Sequence, residues 1–117
     1  CPLCSNEDES IDHLFFHCQY SATIWDRILG WQGIARKSNG WQEEIGCAVR
    51  YGQGKSLDAT LYRMTLACCL YCLWHRRNMR LFQHKWRTTE MLGRQIIQDV
   101  HCRGARFPRL HRRLESL

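Results

Sequence analysis

The sequence predicts an all-α fold: one small helical domain whose metal-ligand residues are concentrated at the N-terminus. Apolar residues recur at helical spacing in several segments, and no segment alternates polar and apolar residues over the length of a strand. Hydrophobic residues make up 44% and charged residues 24% of the 117 residues, a globular composition that supports a modest core.

The chain opens with CPLCSNEDESIDHLFFHC, in which Cys1, Cys4, His13 and Cys18 follow the pattern Cys-x2-Cys-x8-His-x4-Cys. Zinc prefers thiolate sulfur and imidazole nitrogen in tetrahedral sets of four. A tight turn presents the first two cysteines, and a short helix capped by Ser10 brings the other two ligands to the opposite side. The spacing predicts a closed, structural Cys3His zinc knuckle that organises a segment too short to fold alone.

Two alternatives remain open for this segment. His17 is a second candidate for the fourth ligand, because His13 and His17 also have finger-like spacing; Cys18 is favoured because thiolate binds zinc firmly. The competing interpretation is that the cysteines pack or form disulfides. Elsewhere we expect cysteine to act as a small buried hydrophobe, at Cys47, Cys68, Cys69, Cys72 and Cys102.

Three helices are predicted before residue 57. The first is the short helix through IDHLFFHC, and the second runs from near Ser21 to Gly30. The third begins at an Asn39 cap with Gln42 three residues later. Its expected inward face follows the positions i, i+4, i+7 and i+8, which are Trp41, Ile45, Ala48 and Val49.

A long helix is predicted from the Ser56 cap, through Leu57, to about Phe82, since neither proline nor glycine interrupts it. Its apolar run, MTLACCLYCLW, is too short for a membrane span, which needs about 20 residues. A final helix is predicted from Thr88 or Thr89 to about Cys102. We expect the tail beyond Phe107-Pro108 to be a short frayed helix or disordered.

The predicted organisation has four parts. Residues 1–30 form the knuckle and the helix after it, residues 31–56 a glycine-containing connector with a short helix, residues 57–104 the long apolar-to-basic helix with the final helix, and residues 105–117 a basic tail. Net charge is −3 over residues 1–60 and +9 over residues 61–117. Such asymmetry favours a polyanion partner for the basic half, with a solvated basic surface as the alternative.

Basic residues with interleaved aromatic residues predict an RNA or single-stranded DNA surface, because arginine binds phosphate and aromatic rings stack on unpaired bases. Trp74 and Phe82 continue the apolar face and are expected in the core, which leaves Trp86 as the better stacking residue. The candidate nucleic-acid-binding residues are Arg76, Arg77, Arg80, Lys85, Trp86, Arg87, Arg103, Arg106, Arg109, Arg112 and Arg113.

CPLC followed by EDESIDHLFFHCQYSATIW resembles the zinc-binding domain at the C-terminus of plant non-LTR (LINE-type) retrotransposon reverse transcriptases. A second segment, LYCLWHRRNMRLF, is similar to the Trp-x-x-Arg-Asn-x-x-x-Phe segment that often follows it. The matching positions are Glu9, His13, Leu14, Phe15, Cys18 and Trp25, then Trp74, Arg77, Asn78 and Phe82. The resemblance covers positions 1–25 and about 61–102.

The resemblance implies a C-terminal fragment of a polyprotein that copies RNA into DNA at a nicked chromosomal target. Zinc is the implied cofactor, and the implied partners are RNA or DNA and the upstream reverse transcriptase. The family's domain usually extends upstream of the first cysteine, and the polymerase's paired aspartates are absent here. We therefore expect a truncated, non-enzymatic accessory module in the nucleus or cytoplasm. The alternative is a structural or protein-interaction zinc module without nucleic-acid contact.

Overall fold

The computed structural model describes all 117 residues and contains one π-helical turn and five α-helices, with no strand. The all-α prediction is therefore confirmed. In chain order the elements are the π turn His13–His17, α1 Gln19–Trp31, α2 Trp41–Tyr51, α3 Leu57–Gln83, α4 Thr89–Gly104 and α5 Pro108–Glu115. None of these helices has the length and apolar character needed to cross a bilayer.

The two long helices, α3 and α4, begin where the sequence predicts, and each begins with a side-chain cap. The Ser56 hydroxyl accepts a hydrogen bond from the Ala59 N–H, and the Thr88 hydroxyl accepts one from the Met91 N–H, each at 3.1 Å. Each cap satisfies an N–H that has no partner within its helix. Helix α3 ends where His84 turns left-handed, at φ 53°.

The core lies where α1, α3 and α4 pack together. Buried apolar side chains from all three helices form one cluster, which includes Ile24, Trp25, Ile28, Leu61, Leu73, Leu92, Ile96 and Val100. Cys68, Cys69 and Cys72 are buried in this cluster, as predicted. Burial raises the pKa of the Cys72 thiol to about 11, so it packs as a protonated, hydrophobic group.

The C-terminal tail is an ordered helix. Pro108 lies in the first turn of α5, where a backbone N–H has no acceptor within the helix, so the N–H that proline lacks is not needed. Leu110 and Leu114 are buried against α4, and α5 approaches so closely that a Cβ on Gly104 would lie 2.3 Å from the Leu114 Cδ1. Glycine at position 104 permits this contact.

Helix α2 differs from its prediction in both its cap and its inward face. Gly40, at φ 108°, precedes the helix in place of an Asn39 side-chain cap. Of the four residues expected on the inward face, Trp41 and Ala48 pack against the core, whereas Ile45 and Val49 are 38% and 57% exposed, and the fully buried residue is Glu44. The helix is rotated about its axis relative to the predicted apolar face.

The Glu44 carboxylate explains this rotation. It accepts hydrogen bonds from the Trp25 indole at 3.0 Å, from both terminal nitrogens of Arg36 at 2.7 and 3.0 Å, and from the Asn39 N–H at 3.3 Å. Hydrogen bonding to Glu44 raises the pKa of Arg36. A carboxylate bonded by four donors tolerates burial, and these donors lie on the core side of α2.

Three further predictions about burial are wrong. Trp74 and Phe82 are 48% and 73% exposed, although both were expected in the core. Cys102 is exposed as well. Helix α3 buries one side against α1 and α4, so aromatic residues on its other side remain in solvent.

An ion pair joins the N-terminal segment to α3 across 68 positions of sequence. The Arg77 Nε donates to Glu9 Oε1 at 2.6 Å, and a terminal nitrogen of Arg77 donates to Glu9 Oε2 at 2.8 Å. The Arg77 guanidinium carbon also lies 4.9 Å from the centre of the Trp74 ring. Hydrogen bonding from Arg77 lowers the pKa of the Glu9 carboxyl.

Replacing the buried carboxylate should destabilise the fold. The substitution Glu44→Ala leaves the Trp25 N–H and the Arg36 guanidinium without their acceptor, a loss that typically costs about 3–5 kcal/mol for a buried pair. Urea denaturation measures the change in free energy of unfolding. Glu43→Ala, at the exposed neighbouring position, is the matched control and should change it by less than about 0.5 kcal/mol. Equal effects of the two substitutions would contradict this account of α2.

The Glu9–Arg77 pair should make stability depend on pH at the acidic end. Because the folded pKa of Glu9 is lowered, its stabilisation is present above the unfolded pKa of about 4.3 and is lost as pH falls through the folded value. We expect Glu9→Gln to cost about 0.5–1 kcal/mol at pH 7 and nothing at the acid limit. Unfolding free energies measured from pH 7 downward test this. For the control Asp8→Asn, the difference in unfolding free energy from the wild type should not change with pH.

Candidate metal centre and basic surface

The first two cysteines lie in a tight turn anchored to the core. The Ser5 N–H donates to the Cys1 carbonyl at 2.9 Å, and Ser5 itself has a positive φ of 59°. Leu3, between the cysteines, is only 3% exposed. Burial of this one leucine fixes the turn against the helices, so that Cys1 and Cys4 face the same space.

The π turn brings the other two ligand candidates together. The Cys18 N–H donates to the His13 carbonyl, five residues earlier, at 2.6 Å. In a regular α-helix, residues five apart point about 140° away from each other. The wider π turn reduces this angle, so His13 and Cys18 face the same side. As predicted, the Ser10 hydroxyl supports the start of this segment by accepting from the His13 N–H at 3.0 Å.

Four donor atoms converge between the turn and the π turn. The Cys1 and Cys18 sulfurs are 3.9 Å apart, the Cys4 sulfur is 3.3 Å from the His13 Nε2, and all four donor atoms lie within 4.8 Å of one another. A tetrahedral ion with zinc–sulfur bonds of about 2.3 Å requires sulfurs about 3.8 Å apart. The donor set and its spacing fit a zinc ion.

His17, the alternative fourth ligand, lies apart from this cluster. Its Nε2 is 3.3 Å from the Asn39 carbonyl, and its Nδ1 is 3.7 Å from an Asp12 oxygen. It also fills the space beside Gly40, where a Cβ would lie 2.0 Å from the His17 Nε2. The structure thus places His17 against the start of α2 and Cys18 among the donors.

The surroundings of the donors shift the pKa values of two of the thiols in opposite directions. Burial raises the pKa of Cys18. Burial also opposes ionisation of Cys4, but the hydrogen bond from the Asn6 N–H and the contact with the His13 Nε2 outweigh it and lower the pKa of Cys4 to about 7. A thiolate, which is the form that binds zinc, is therefore accessible at Cys4 near neutral pH.

Glu7 completes the site and was not singled out from the sequence. A Glu7 carboxylate oxygen lies 3.5 Å from the His13 Nδ1, the ring nitrogen opposite the donor. Glu7 is 72% exposed and forms no hydrogen bond with the ring here, but a carboxylate on this side favours the tautomer that leaves Nε2 free for a metal. In the sequence, Glu7 is one of four acidic residues between Cys4 and His13, and nothing in the sequence distinguishes it from the other three.

Arg80 connects the metal-ligand segment with the basic half of the chain. One of its terminal nitrogens donates to the carbonyls of Pro2 and Leu3, the two residues between the cysteines. Its guanidinium carbon lies 3.4 Å from the centre of the Trp86 ring and 4.8 Å from that of Tyr20. Arg80 is 7% exposed, and burial lowers its pKa. It contacts the knuckle directly.

The other candidate nucleic-acid residues divide by their partners. Arg77 pairs with Glu9, and Arg113 lies 3.1 Å from Asp58. Arg76 is buried without a partner. The remaining candidates are exposed and have no acidic partner: Lys85, Trp86, Arg87, Arg103, Arg106, Arg109 and Arg112.

Several of the exposed cations line two adjoining grooves between α3 and the helices that follow it. The Trp86 groove is lined in part by His75, Arg76, Lys85, Trp86 and Arg87. The Arg103 groove is lined in part by Arg63, Arg103, Arg106 and Phe107. Tyr71 borders both grooves, and neither is lined by an aspartate or glutamate. Together they form a continuous basic seam.

Comparison with known families matches residues 1–25 to the family described as zinc-binding in reverse transcriptase. The match includes all four converging donors and ends at Trp25, within α1. No curated protein and no solved structure matches the chain. The first 25 residues therefore match a zinc-binding module of the reverse-transcriptase type, and α2–α5 lie outside the match.

Proposed function

We propose that this chain is a zinc-containing accessory module of a reverse-transcriptase polyprotein and that it binds RNA or single-stranded DNA. The observation that carries the proposal is the basic seam, whose two grooves contain exposed cations and no acidic side chain. A groove lined by one sign of charge concentrates a polyanion and speeds its capture. Nucleic acid is the polyanion that a reverse transcriptase handles.

Zinc has a structural role in this proposal. Cys1, Cys4, His13 and Cys18 hold the ion, and four protein ligands leave no open position for a substrate. The bound ion supplies a cross-link between the N-terminal turn and the start of α1. That cross-link fixes the Pro2 and Leu3 carbonyls, to which Arg80 donates. The knuckle thereby holds Arg80 and Trp86 in place at one end of the seam.

The basic residues then divide the work of binding. Lys85, Arg87, Arg103 and Arg106 contact phosphates along the seam, while Arg109 and Arg112 extend the positive surface on α5. Trp86 offers a stacking surface, since it is 67% exposed and backed by the Arg80 guanidinium. The chain contributes binding and no catalysis, and the polyprotein is a plant LINE-type element with this module near its C-terminus, acting in the nucleus or cytoplasm.

A protein-interaction module is the second candidate, and one observation favours it. Tyr71, Trp74 and Phe82 are exposed by 66%, 48% and 73% along α3. Exposed aromatic residues are enriched at protein interfaces. In this alternative the upstream reverse transcriptase covers α3, and the basic seam is a solvated surface.

The chain should bind one zinc ion through the four converging donors. Cobalt substitution gives an absorption spectrum that reports thiolate coordination, and chelator competition gives the affinity. We expect Cys4→Ser and Cys18→Ser to lose most of the affinity and to unfold the N-terminal segment, because such segments depend on the metal for folding. His17→Gln and Cys102→Ser should bind as the wild type does. If His17→Gln loses zinc binding and Cys18→Ser retains it, His17 and not Cys18 is the fourth ligand.

Glu7 should tune this affinity through His13. Removing a carboxylate that orients a ligand histidine typically reduces metal affinity 10–100-fold. We expect Glu7→Gln to fall in this range while keeping the wild-type cobalt spectrum. The adjacent Asp8→Asn is the matched control and should change affinity less than twofold. Equal losses in both variants would indicate only a general effect of negative charge.

Nucleic-acid binding should depend steeply on salt. Fluorescence anisotropy with a single-stranded RNA, repeated at several salt concentrations, gives the slope of log affinity against log salt, about −0.7 for each phosphate contacted. The double variant Arg103→Gln, Arg106→Gln should weaken binding and make the slope less negative by about 1.4. The control Arg50→Gln, Lys55→Gln removes the same charge outside the seam and should affect the slope little. Undetectable binding at low salt would favour the protein-interaction module.

A further inference from the structure

Arg76 is a buried guanidinium for which the protein supplies no acceptor. Only 5% of its surface is exposed. It takes part in no ion pair and no side-chain hydrogen bond, and its Nε is fully buried without a partner. Burying a charge without a counter-charge destabilises a fold. A native structure that retains such a group needs a reason for it.

Neighbouring groups do not neutralise Arg76. Arg80 lies close enough to interact with it, so two guanidinium groups share this region. The Tyr20 hydroxyl donates its proton to the Arg87 carbonyl at 2.7 Å. On α4, the carboxylate of Glu90 is held by Arg94 at 2.8 Å. The other carboxylate near the groove, Asp99 on α4, lies 3.9 Å from the Cys72 sulfur and forms no ion pair with Arg76.

Arg76 faces the Trp86 groove, which has a volume of about 520 Å³. Lys85 and Arg87 lie at the same groove, and the rings of Tyr71 and His75 stack at an interplanar angle of 8° beside it. The volume suits a small ligand, and the lining offers cations for an anionic group next to flat rings. Carboxylates, which would repel an anion, are absent from the lining.

We propose that the Trp86 groove is a phosphate-binding pocket in which Arg76 is the buried receiver of the phosphate group. A planar guanidinium binds two phosphate oxygens at once, and a desolvated site strengthens this charge-assisted contact. Lys85 and Arg87 supply further positive charge at the mouth of the pocket. The phosphate belongs to a nucleotide or to a strand of nucleic acid, two sources that share this chemistry. The inference deepens the proposed function by assigning one phosphate contact to one pocket.

Thermal unfolding of the zinc-loaded chain tests the pocket with inorganic phosphate as the probe. A ligand that binds only the folded state raises Tm as its concentration rises. We expect phosphate, compared with chloride at equal ionic strength, to raise the Tm of the wild type. Arg76→Met should remove this shift, corresponding to at least a tenfold loss of phosphate affinity. Arg50→Met loses the same charge on α2, outside both grooves, and should keep it.

The same variants distinguish a binding residue from a structural one. Without phosphate, Arg76→Met removes an uncompensated buried charge and leaves an apolar chain of similar length, so its Tm should equal or exceed that of the wild type. A Tm well below the wild type would assign Arg76 a structural role and overturn the proposal. An equal phosphate shift in the wild type and Arg76→Met, or no shift in the wild type, would also overturn it. Arg87→Gln, at the exposed rim, should weaken phosphate binding several-fold with little change in Tm.

Oligothymidylate with and without a 5′-phosphate identifies the source of the phosphate. If a strand end enters the pocket, Arg76→Met weakens only the phosphorylated oligonucleotide; if an internal phosphodiester enters, it weakens both equally. If phosphate does not raise Tm and Arg76→Met leaves oligonucleotide binding unchanged, the pocket proposal is wrong and the proposed function is unaffected. An Arg76-dependent phosphate shift without oligonucleotide binding supports the pocket and removes the nucleic-acid function.

Discussion

The Arg80 guanidinium is the contact on which the arrangement of this molecule depends. It donates to the Pro2 and Leu3 carbonyls between the first two cysteines, and it lies over the rings of both Tyr20 and Trp86. One side chain of α3 thereby joins the metal-ligand turn, helix α1 and the loop before α4. A cation at this point has no carboxylate partner, so carbonyl dipoles and aromatic faces stabilise it.

Helix α3 serves both halves of the molecule. Its first part packs cysteines and leucines into the core, and its second part carries the arginines that contact the knuckle and line the grooves. The Glu9–Arg77 pair and the Arg80 contacts both act on the N-terminal segment from adjacent turns of this helix. Metal loss at the knuckle is therefore expected to disturb the Trp86 end of the basic seam, because both depend on the same stretch of α3.

Much of the fold and of the donor set could be predicted because the signals are local. Ser56 and Thr88 start helices through hydrogen bonds to residues three positions away, and the ligand pattern lies within eighteen residues. The inward face of α2 was predicted correctly only at Trp41 and Ala48, because a buried carboxylate outweighs the rest of the apolar stripe when distant donors satisfy it. Glu7 was missed because its role depends on which nitrogen of His13 it approaches.

The sequence alone determined the helical fold class, the starts of the long helices and the four clustered donors, since each follows from spacing along a short stretch of chain. The tertiary structure decided which polar groups are buried and what they contact. Glu9 meets Arg77 across 68 positions, Arg80 meets Leu3 across 77, and Arg76 is enclosed with no partner at all. Burial and pairing over such separations depend on how helices pack, and no local pattern encodes them.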